Sequence, residues 1–556
     1  MRERLASRAE RGLEPAARLQ DLGRELGPGA RAAAEQLAAE ALVSVEEVLE
    51  RRDPLAGLSV VSRPRPELIG DQRLAAARAR ELIDRAGAGE ERCQELLIAG
   101  VTGSGKTEVY LEALAHAVER GRRGIVLVPE IALTPQTVRR FSERFPGRVG
   151  VLHSALSPGE AFDEWHAAAE GRYDVVVGSR SALFAPLPDL GLVVIDEAHE
   201  WTYKQDDPPP GYDARDVARR LCELEGAALV LGTATPSAEQ WYRAAAGELE
   251  RVDLPRRVRP VPQPDGSVAV WPSDELPAIE VVDMRGARTL FSDPLALALE
   301  ETLDRGEQAI LFLNRRGLAG FLLCPQGHSP ECSSCDVALA LHTRGEPSGV
   351  LAAEPGAAAS AGLLLCHQCG RRRQVPGACG RCGGALRPAR AGTERVEREV
   401  RRLYPAARVA RWDRDTARRR SQHEAILGRF LRRELDVLVG TQMVAKGLDL
   451  PAVTLVGVVL ADYTLREGDF RSRERTFQLL VQVGGRAGRA ERGGRVVIQT
   501  LQPGDRAVEA AAAGDVDGFL EQELRWRVEH GYPPPRRPAR ARLAHPPAPP
   551  GGGEGG

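Results

Sequence analysis

The sequence predicts an α/β fold in two lobes, each built on a parallel sheet, the second lobe split by a cysteine-rich insertion. Three observations carry this. Short aliphatic runs alternate with helical patterns from residue 95 onward, and a second such series begins near residue 308. Strands that read as continuous apolar runs are buried on both faces, as in parallel sheets covered by helices. Seven of the nine cysteines fall between Cys324 and Cys382, inside the second series. A formal net charge of −2 leaves any polyanion binding to local basic surfaces. No apolar run is long enough to span a membrane, and Met-Arg-Glu-Arg at the start lacks a signal-peptide core, so a cytoplasmic protein is expected.

Residues 1–67 read as a helical or partial winged-helix region, with a plain helical extension as the alternative. The first lobe is expected over 68–256. Its first strand, Glu95–Ala99, runs into Gly100, Val101, Thr102, Gly103, Ser104, Gly105, Lys106 and Thr107, and a helical pattern follows. Strand, G-x-x-x-x-G-K-T and helix form a phosphate-binding loop, whose backbone N–H groups face the phosphates. Lys106 would reach the β/γ-phosphates of ATP, and the Thr107 hydroxyl would hold Mg²⁺. Upstream, Gln72 is a candidate for the nucleotide base, since an amide pairs with adenine's donor and acceptor edge; an exposed helix-start glutamine is the alternative.

The next strands are expected within Gly124–Pro129, Tyr173–Gly178, Gly191–Ile195 and Ala228–Leu231. The fourth run of the lobe, Gly191–Ile195, ends in Asp196-Glu-Ala-His199. Carboxylates at the carboxyl end of such a strand lie where ligands bind in open α/β sheets. Asp196 would bind Mg²⁺, and Glu197 would orient and deprotonate a water. Thr134, at a strand-to-helix turn, and Arg180, just past another strand end, are candidates for DNA phosphate contacts; Arg180 could instead pair across the lobes. Trp201, Tyr203 and Lys204 follow the acidic box in a chain that is only 4% aromatic, so base stacking competes with ordinary packing as their role.

Residues 257–280, rich in Pro, Gly and Ser, read as a linker. The second lobe is expected over 281–323 and 386–515, with strands within Gln308–Leu313, Asp436–Gly440, Val453–Leu460 and Gly494–Ile498. Arg486 and Arg489 would reach the γ-phosphate from this lobe, where such arginines are worth about 10³–10⁵ in rate. A helical segment, 516–535, and a Pro/Gly-rich tail, 536–556, complete the chain.

The insertion, 324–385, carries Cys332-x-x-Cys335, Cys366-x-x-Cys369 and Cys379-x-x-Cys382, with Cys324 unpaired. Each C-x-x-C can give two thiolates to a tetrahedral Zn²⁺. Isolated Cys93 and Cys222 read as inert thiols.

The loop at Gly100, the Asp196 box, Gly232-Thr-Ala-Thr-Pro236 and Gln482-Val-Gly-Gly-Arg-Ala-Gly-Arg489 resemble the motifs of superfamily 2 helicases, in order. Val128–Gln136, Gly178–Phe184, Phe312–Gly317, Gly440–Gly447 and Asp469–Arg475 narrow the resemblance to the PriA (primosomal protein N′) family of bacterial replication-restart helicases, over roughly residues 68–535. That resemblance implies RecA-like helicase lobes and an ATP-dependent 3′→5′ DNA helicase that remodels stalled or abandoned forks and starts primosome assembly. A different superfamily 2 translocase and a non-hydrolysing primosome-loading scaffold are the competing readings. It further implies ATP, Mg²⁺ and two Zn²⁺ as cofactors. The implied partners are forked and single-stranded DNA, primosome proteins, the replicative-helicase loading machinery and single-stranded DNA-binding protein, with the chain a monomer. Cys332, Cys335, Cys366 and Cys369 match one family zinc site. The other pairs Cys379 and Cys382 with a C-x-x-C at Cys324, which here lacks its second cysteine. His328 is the candidate replacement; a three-coordinate or empty site is the alternative. The family also places a 3′-end-binding domain and a winged helix ahead of the lobes and another domain behind them. With about 67 residues ahead of the lobes, there is no room for both, which puts fork-end recognition of the usual type in doubt.

Overall fold

A computed structural model describes residues 27, 29–40, 42–44, 52, 54–55, 66–88, 93–130, 134–205, 209–262, 268–273, 277–287, 289–313, 321–335, 337–343, 362–388, 392–413, 416, 420–441, 444, 450, 452–487 and 494–534. The chain divides into two units, residues 1–53 and 54–556. In the first, α1 (Ala30–Ala39) is the described element.

The second unit opens with α2 (Gly70–Gly87), β1 (Gln94–Gly100), α3 (Lys106–Glu119), β2 (Arg123–Leu127), α4 (Pro135–Arg144), β3 (Val149–Leu152), α5 (Pro158–Ala169), β4 (Val175–Gly178) and β5 (Leu190–Asp196). A short hairpin, β6 (Lys204–Gln205) with β7 (Tyr212–Asp213), precedes α6 (Ala214–Glu225), β8 (Ala228–Thr233), α7 (Ala238–Ala245) and β9 (Glu250–Leu254). The sheet order is β3-β4-β2-β5-β8-β1-β9, all parallel. Alternate strand residues feed two cores. Leu96, Ile98, Val126 and Val194 meet α2 and α3, while Leu97, Ile125, Val193 and Leu229 meet α6 on the other face. Both faces are therefore dry, as continuous apolar strands require.

The stretch expected to be a linker contains a hairpin instead. β10 (Arg257–Pro262) pairs antiparallel with β11 (Val268–Ser273). The β-branched Val258, Val261, Val268 and Val270 favour strands, and Pro260, Pro262 and Pro272, which suggested a linker, lie in the strands themselves.

The second lobe begins earlier than expected, at β12 (Ala278–Asp283), followed by α8 (Asp293–Asp304) and β13 (Gln308–Phe312). The insertion follows: β14 (Leu322–Leu323), β15 (Ala340–Thr343), β16 (Gly362–Leu365), β17 (Arg372–Gln374) and β18 (Arg387–Pro388). β14 pairs with β18 and closes its neck; β15, β16 and β17 form an antiparallel sheet. The lobe resumes with α9 (Thr393–Leu403), β19 (Val409–Trp412), α10 (Arg420–Leu431), β20 (Val437–Gly440), β21 (Val453–Val458), α11 (Asp462–Leu465), α12 (Ser472–Gly484), β22 (Arg495–Thr500), α13 (Arg506–Ala513) and α14 (Val516–His530). Its parallel sheet runs β12-β22-β21-β13-β20-β19. These are two RecA-like lobes, the second interrupted by the cysteine-rich module.

The C-terminal helix is part of this body. Phe519 on α14 stacks on Phe477 of α12 at 4.2 Å. Arg527 is fully buried and pairs with Glu523 at 3.0 Å and Glu474 at 2.5 Å, and Glu239 of the first lobe lies 3.4 Å away.

Candidate nucleotide cleft and metal centres

The phosphate loop joins β1 to α3. Gly103 and Gly105 have positive φ, +86° and +80°. A Cβ at Gly105 would lie 2.4 Å from Gln72 Nε2, so position 105 needs glycine for both reasons. Lys106 is buried, and its Nζ donates to the carbonyls of Gly100 at 2.6 Å and Val101 at 3.4 Å. Ser104 Oγ is buried without a hydrogen-bond partner among the described residues. An unsatisfied buried hydroxyl beside a lysine at a helix N-terminus fits a phosphate.

Gln72 is buried under the loop. Its Oε1 accepts from the Ile69 N–H at 3.0 Å, and its Nε2 donates to the Ser104 carbonyl at 2.8 Å. It thus ties the start of α2 to the loop; the exposed glutamine of the alternative reading is ruled out, and the structure holds its amide on backbone rather than turned to a base.

Asp196 ends β5, facing the loop. Tyr110, a phenol kept protonated by burial, donates to Asp196 Oδ1 at 3.1 Å. Burial and the neighbouring Glu197 push the Asp196 carboxyl up to about 6, against the pull of Lys106 and Tyr110. Glu197 has φ +47°, a left-handed conformation unusual outside glycine, asparagine and aspartate. Its Oε2 is buried without a hydrogen bond among the described residues and lies 3.7 Å from His199 Nδ1. Two carboxylates, one with an unsatisfied oxygen, opposite a threonine at a helix start fit a hydrated divalent cation and a general base.

His199 had no role assigned from sequence. Its Nδ1 meets Thr233 Oγ1 at 2.6 Å, and its Nε2 meets the Gln482 side-chain amide from the second lobe. The amide donates to Nε2, which leaves Nδ1–H to donate to Thr233. A hydrogen-bonded chain therefore runs from β8 through the histidine of the acidic box to α12. The only sequence signal for it was the pairing of Asp-Glu-Ala-His with Gln482-Val-Gly-Gly-Arg.

The second lobe closes on the loop at Gly485, where an added Cβ would lie 2.7 Å from Thr102. Arg486 is buried next to it. Arg489 lies outside the described residues, as do Asn314–Gly317, Gln442, Met443 and Ala445–Gly447.

The expected DNA contacts divide. Trp201 and Lys204 are exposed. Tyr203 is not: it is 1% exposed, with its hydroxyl between the carbonyls of Asp196 at 2.7 Å and Leu127 at 3.1 Å. The stacking expectation is corrected there, because residues two apart in the tight 3₁₀ turn Trp201–Tyr203 point in different directions. Arg180 forms no interlobe pair among the described residues. It donates to the carbonyls of Thr202 at 2.9 Å and Lys204 at 3.3 Å and lies over the Tyr212 ring, clasping the aromatic loop. Thr134 caps α4, accepting from the Thr137 N–H at 3.3 Å.

In the insertion, two four-residue clusters could hold metal: Cys332, Cys335, Cys366 and Cys369, and Cys324, His328, Cys379 and Cys382. Tetrahedral Zn²⁺ places thiolates about 3.8 Å apart and a thiolate and imidazole nitrogen about 3.6 Å apart. Cys332 and Cys369 are 3.7 Å apart, Cys324 and Cys382 3.5 Å, and Cys379 Sγ and His328 Nδ1 3.7 Å. Burial pushes the Cys379 thiol up, but the Arg381 and Cys382 N–H groups, Cys382 and His328 bring it down to about 6. The donors fit zinc at both clusters. Cys93 and Cys222 lie outside them.

Comparison with known proteins fits this geometry. Residues 80–243 match the DEAD/DEAH box helicase family, and residues 393–491 match the helicase conserved C-terminal domain. The fold and the paired matches define a superfamily 2 helicase core. The replication restart protein PriA of Bacillus subtilis (strain 168) is 42% identical over 498 residues, covering 88% of this chain and 57% of that protein. Its counterpart from Synechocystis sp. is 40% identical, covering 86% and 56%. The chain belongs to the PriA family, and it spans a little over half the length of these relatives. Among solved structures, RecG bound to a three-way DNA junction superposes with a TM-score of 0.46 at 18% identity, covering 84% of this chain and 48% of that one; the fold assignment rests on the sheet topology above.

Proposed function

We propose that this chain is the motor of an ATP-dependent 3′→5′ DNA helicase that acts at stalled or abandoned replication forks and begins primosome assembly. The observation that supports it most is the hydrogen-bonded path from the acidic box to the second lobe, Thr233–His199–Gln482, set beside the phosphate loop. A scaffold that never turned over nucleotide has no use for that link.

On this reading Lys106 leaves the Gly100 carbonyl to bind the β/γ-phosphates. Thr107 and Asp196 hold Mg²⁺, which supplies charge neutralisation at the phosphates. Glu197 takes the proton of the attacking water through its unsatisfied oxygen. Arg486, with Arg489, stabilises charge developing on the γ-phosphate, so hydrolysis requires the lobes to close. Trp201 and Lys204 face single-stranded DNA, one offering a ring for a base and the other a cation for a phosphate. The cysteine clusters hold two structural Zn²⁺. The family likeness supports fork DNA, primosome proteins, the helicase-loading machinery and single-stranded DNA-binding protein as partners.

ATP turnover measured with single-stranded, duplex and forked DNA tests the reading. Stimulation by single-stranded or forked DNA, abolished in Lys106→Ala, is expected. Absence of turnover with every DNA would refute the motor. Unwinding of forks with defined strand ends tests the 3′→5′ direction.

A further inference from the structure

The segment between the lobes is built into the nucleotide site. The Val101 N–H donates to the Leu254 carbonyl at 3.1 Å, and the Val258 N–H donates to the Gly103 carbonyl at 2.9 Å. The backbone from β9 to β10 therefore flanks the phosphate loop at two of its residues. Between these contacts Arg257 turns inward and is 9% exposed. Its stem runs past the loop, so that a Cβ at Gly103 would lie 3.9 Å from Arg257 Cγ. Its guanidinium donates through Nη1 to the Ala487 carbonyl at 3.4 Å and through Nη2 to the Gly485 carbonyl at 3.5 Å.

Those carbonyls bracket Arg486. A guanidinium presents a rigid fork of donors, and here the two outer nitrogens hold the backbone on either side of one residue. Gly485 itself abuts Thr102. One side chain thus ties together the phosphate loop, the hairpin and the turn that carries the second-lobe arginine.

We propose that Arg257 is a positioning residue for Arg486: it sets the reach of the arginine finger into the cleft and registers it against the phosphate loop. This rests on the ATPase reading of that cleft. The effect works through distance. Misplacing a catalytic group by about 1 Å can cost on the order of 10²-fold in rate. Ground-state nucleotide binding, carried by the loop, is left nearly unchanged.

The test is a double-mutant cycle in the full chain. Arg257→Met keeps the stem and removes the fork; Arg257→Lys keeps the charge but not the two-pronged geometry. The expected result for Arg257→Met is a 10- to 100-fold fall in kcat with DNA present, on the scale set by such misplacement, and little change in KM for ATP. The affinity for ADP–aluminium fluoride should fall with kcat, while that for a non-hydrolysable ATP analogue holds. Arg257→Lys should recover only part of the loss. In an Arg486→Ala background Arg257→Met should add almost nothing. Equal losses in both backgrounds, or losses of both analogues together, would overturn the proposal and leave Arg257 a structural residue. If the wild type turns over no ATP, the motor reading fails. The analogue affinities still decide this inference: no selective loss of ADP–aluminium fluoride binding in Arg257→Met refutes it. If Arg257→Met melts below the assay temperature, the same cycle is run with Arg257→Lys, which keeps the buried charge.

Discussion

Replacing His328 with alanine should remove one of two zinc ions. The tight turn Cys324–His328 is tied by the Cys324 N–H to the His328 carbonyl at 3.0 Å and by the His328 N–H to Cys324 Sγ at 3.2 Å. Gly327, where a C-x-x-C would place its second cysteine, has φ +78°, and a Cβ there would lie 2.5 Å from the Leu501 carbonyl oxygen. A side chain is excluded at that position, and the ligand role passes one residue on. Structural zinc sites are worth about 10–16 kcal/mol at pH 7. An even share among four ligands is roughly 2.5–4 kcal/mol, or about 10²–10³ in affinity. With a chelator competing at micromolar strength, zinc released by a thiol reagent and read with a colorimetric indicator should fall from two per chain to one. His328→Cys should hold both. A count that stays at two in His328→Ala would refute the four-ligand site.

The remaining predictions concern the lobes. Trp201→Ala should weaken stimulation of ATP turnover by single-stranded DNA by about 1–3 kcal/mol in DNA affinity and leave basal turnover unchanged, whereas Tyr203→Ala should destabilise the fold by about 3–5 kcal/mol in urea; the opposite pattern would reverse their assignments. His199→Ala breaks the interlobe hydrogen bond to Gln482 and the bond to Thr233, each worth about 1–3 kcal/mol when buried, so DNA stimulation of turnover should fall while nucleotide binding persists; unchanged stimulation would sever the link from function. Arg527→Met leaves Glu474 buried without its cation, while Glu523 keeps Arg506, an expected loss of about 3–5 kcal/mol by denaturant melting, and adding Glu474→Gln should recover much of it. Asp196, raised from 3.8 to about 6, holds its proton in the folded chain between those values. Its charge therefore costs the nucleotide-free fold stability as pH rises through this window, by up to about 3 kcal/mol above pH 6. Asp196→Asn should raise the melting temperature above pH 6, with the gain fading toward pH 4; a gain independent of pH would contradict this.

Much of the fold was legible because its signals are local. Strands buried on both faces must be apolar at consecutive positions, and Leu192–Ile195 or Val453–Val458 announce this without reference to neighbours. The phosphate loop is likewise one continuous segment, its glycines acting through backbone and its lysine and threonine through side chains one or two positions on. The insertion declared itself through C-x-x-C spacing. What remained hidden were side chains whose partners lie far along the chain. Gln72 meets Ser104, Arg180 meets Thr202, and Arg527 meets Glu239. Composition misled at 257–280, where prolines suggested a linker and β-branched valines made a hairpin.

The phosphate loop, the acidic box and the knuckles are thus properties of the sequence itself, because each needs only residues a few positions apart in a conformation those residues prefer. Which aromatic of Trp201 and Tyr203 faces solvent, which residue replaces the missing cysteine, and what holds Arg486 against the loop were decided by tertiary structure. Each depends on burial, on a blocked Cβ or on carbonyls brought from another lobe, and those exist only once the sheets have formed and, for Arg486, closed on one another.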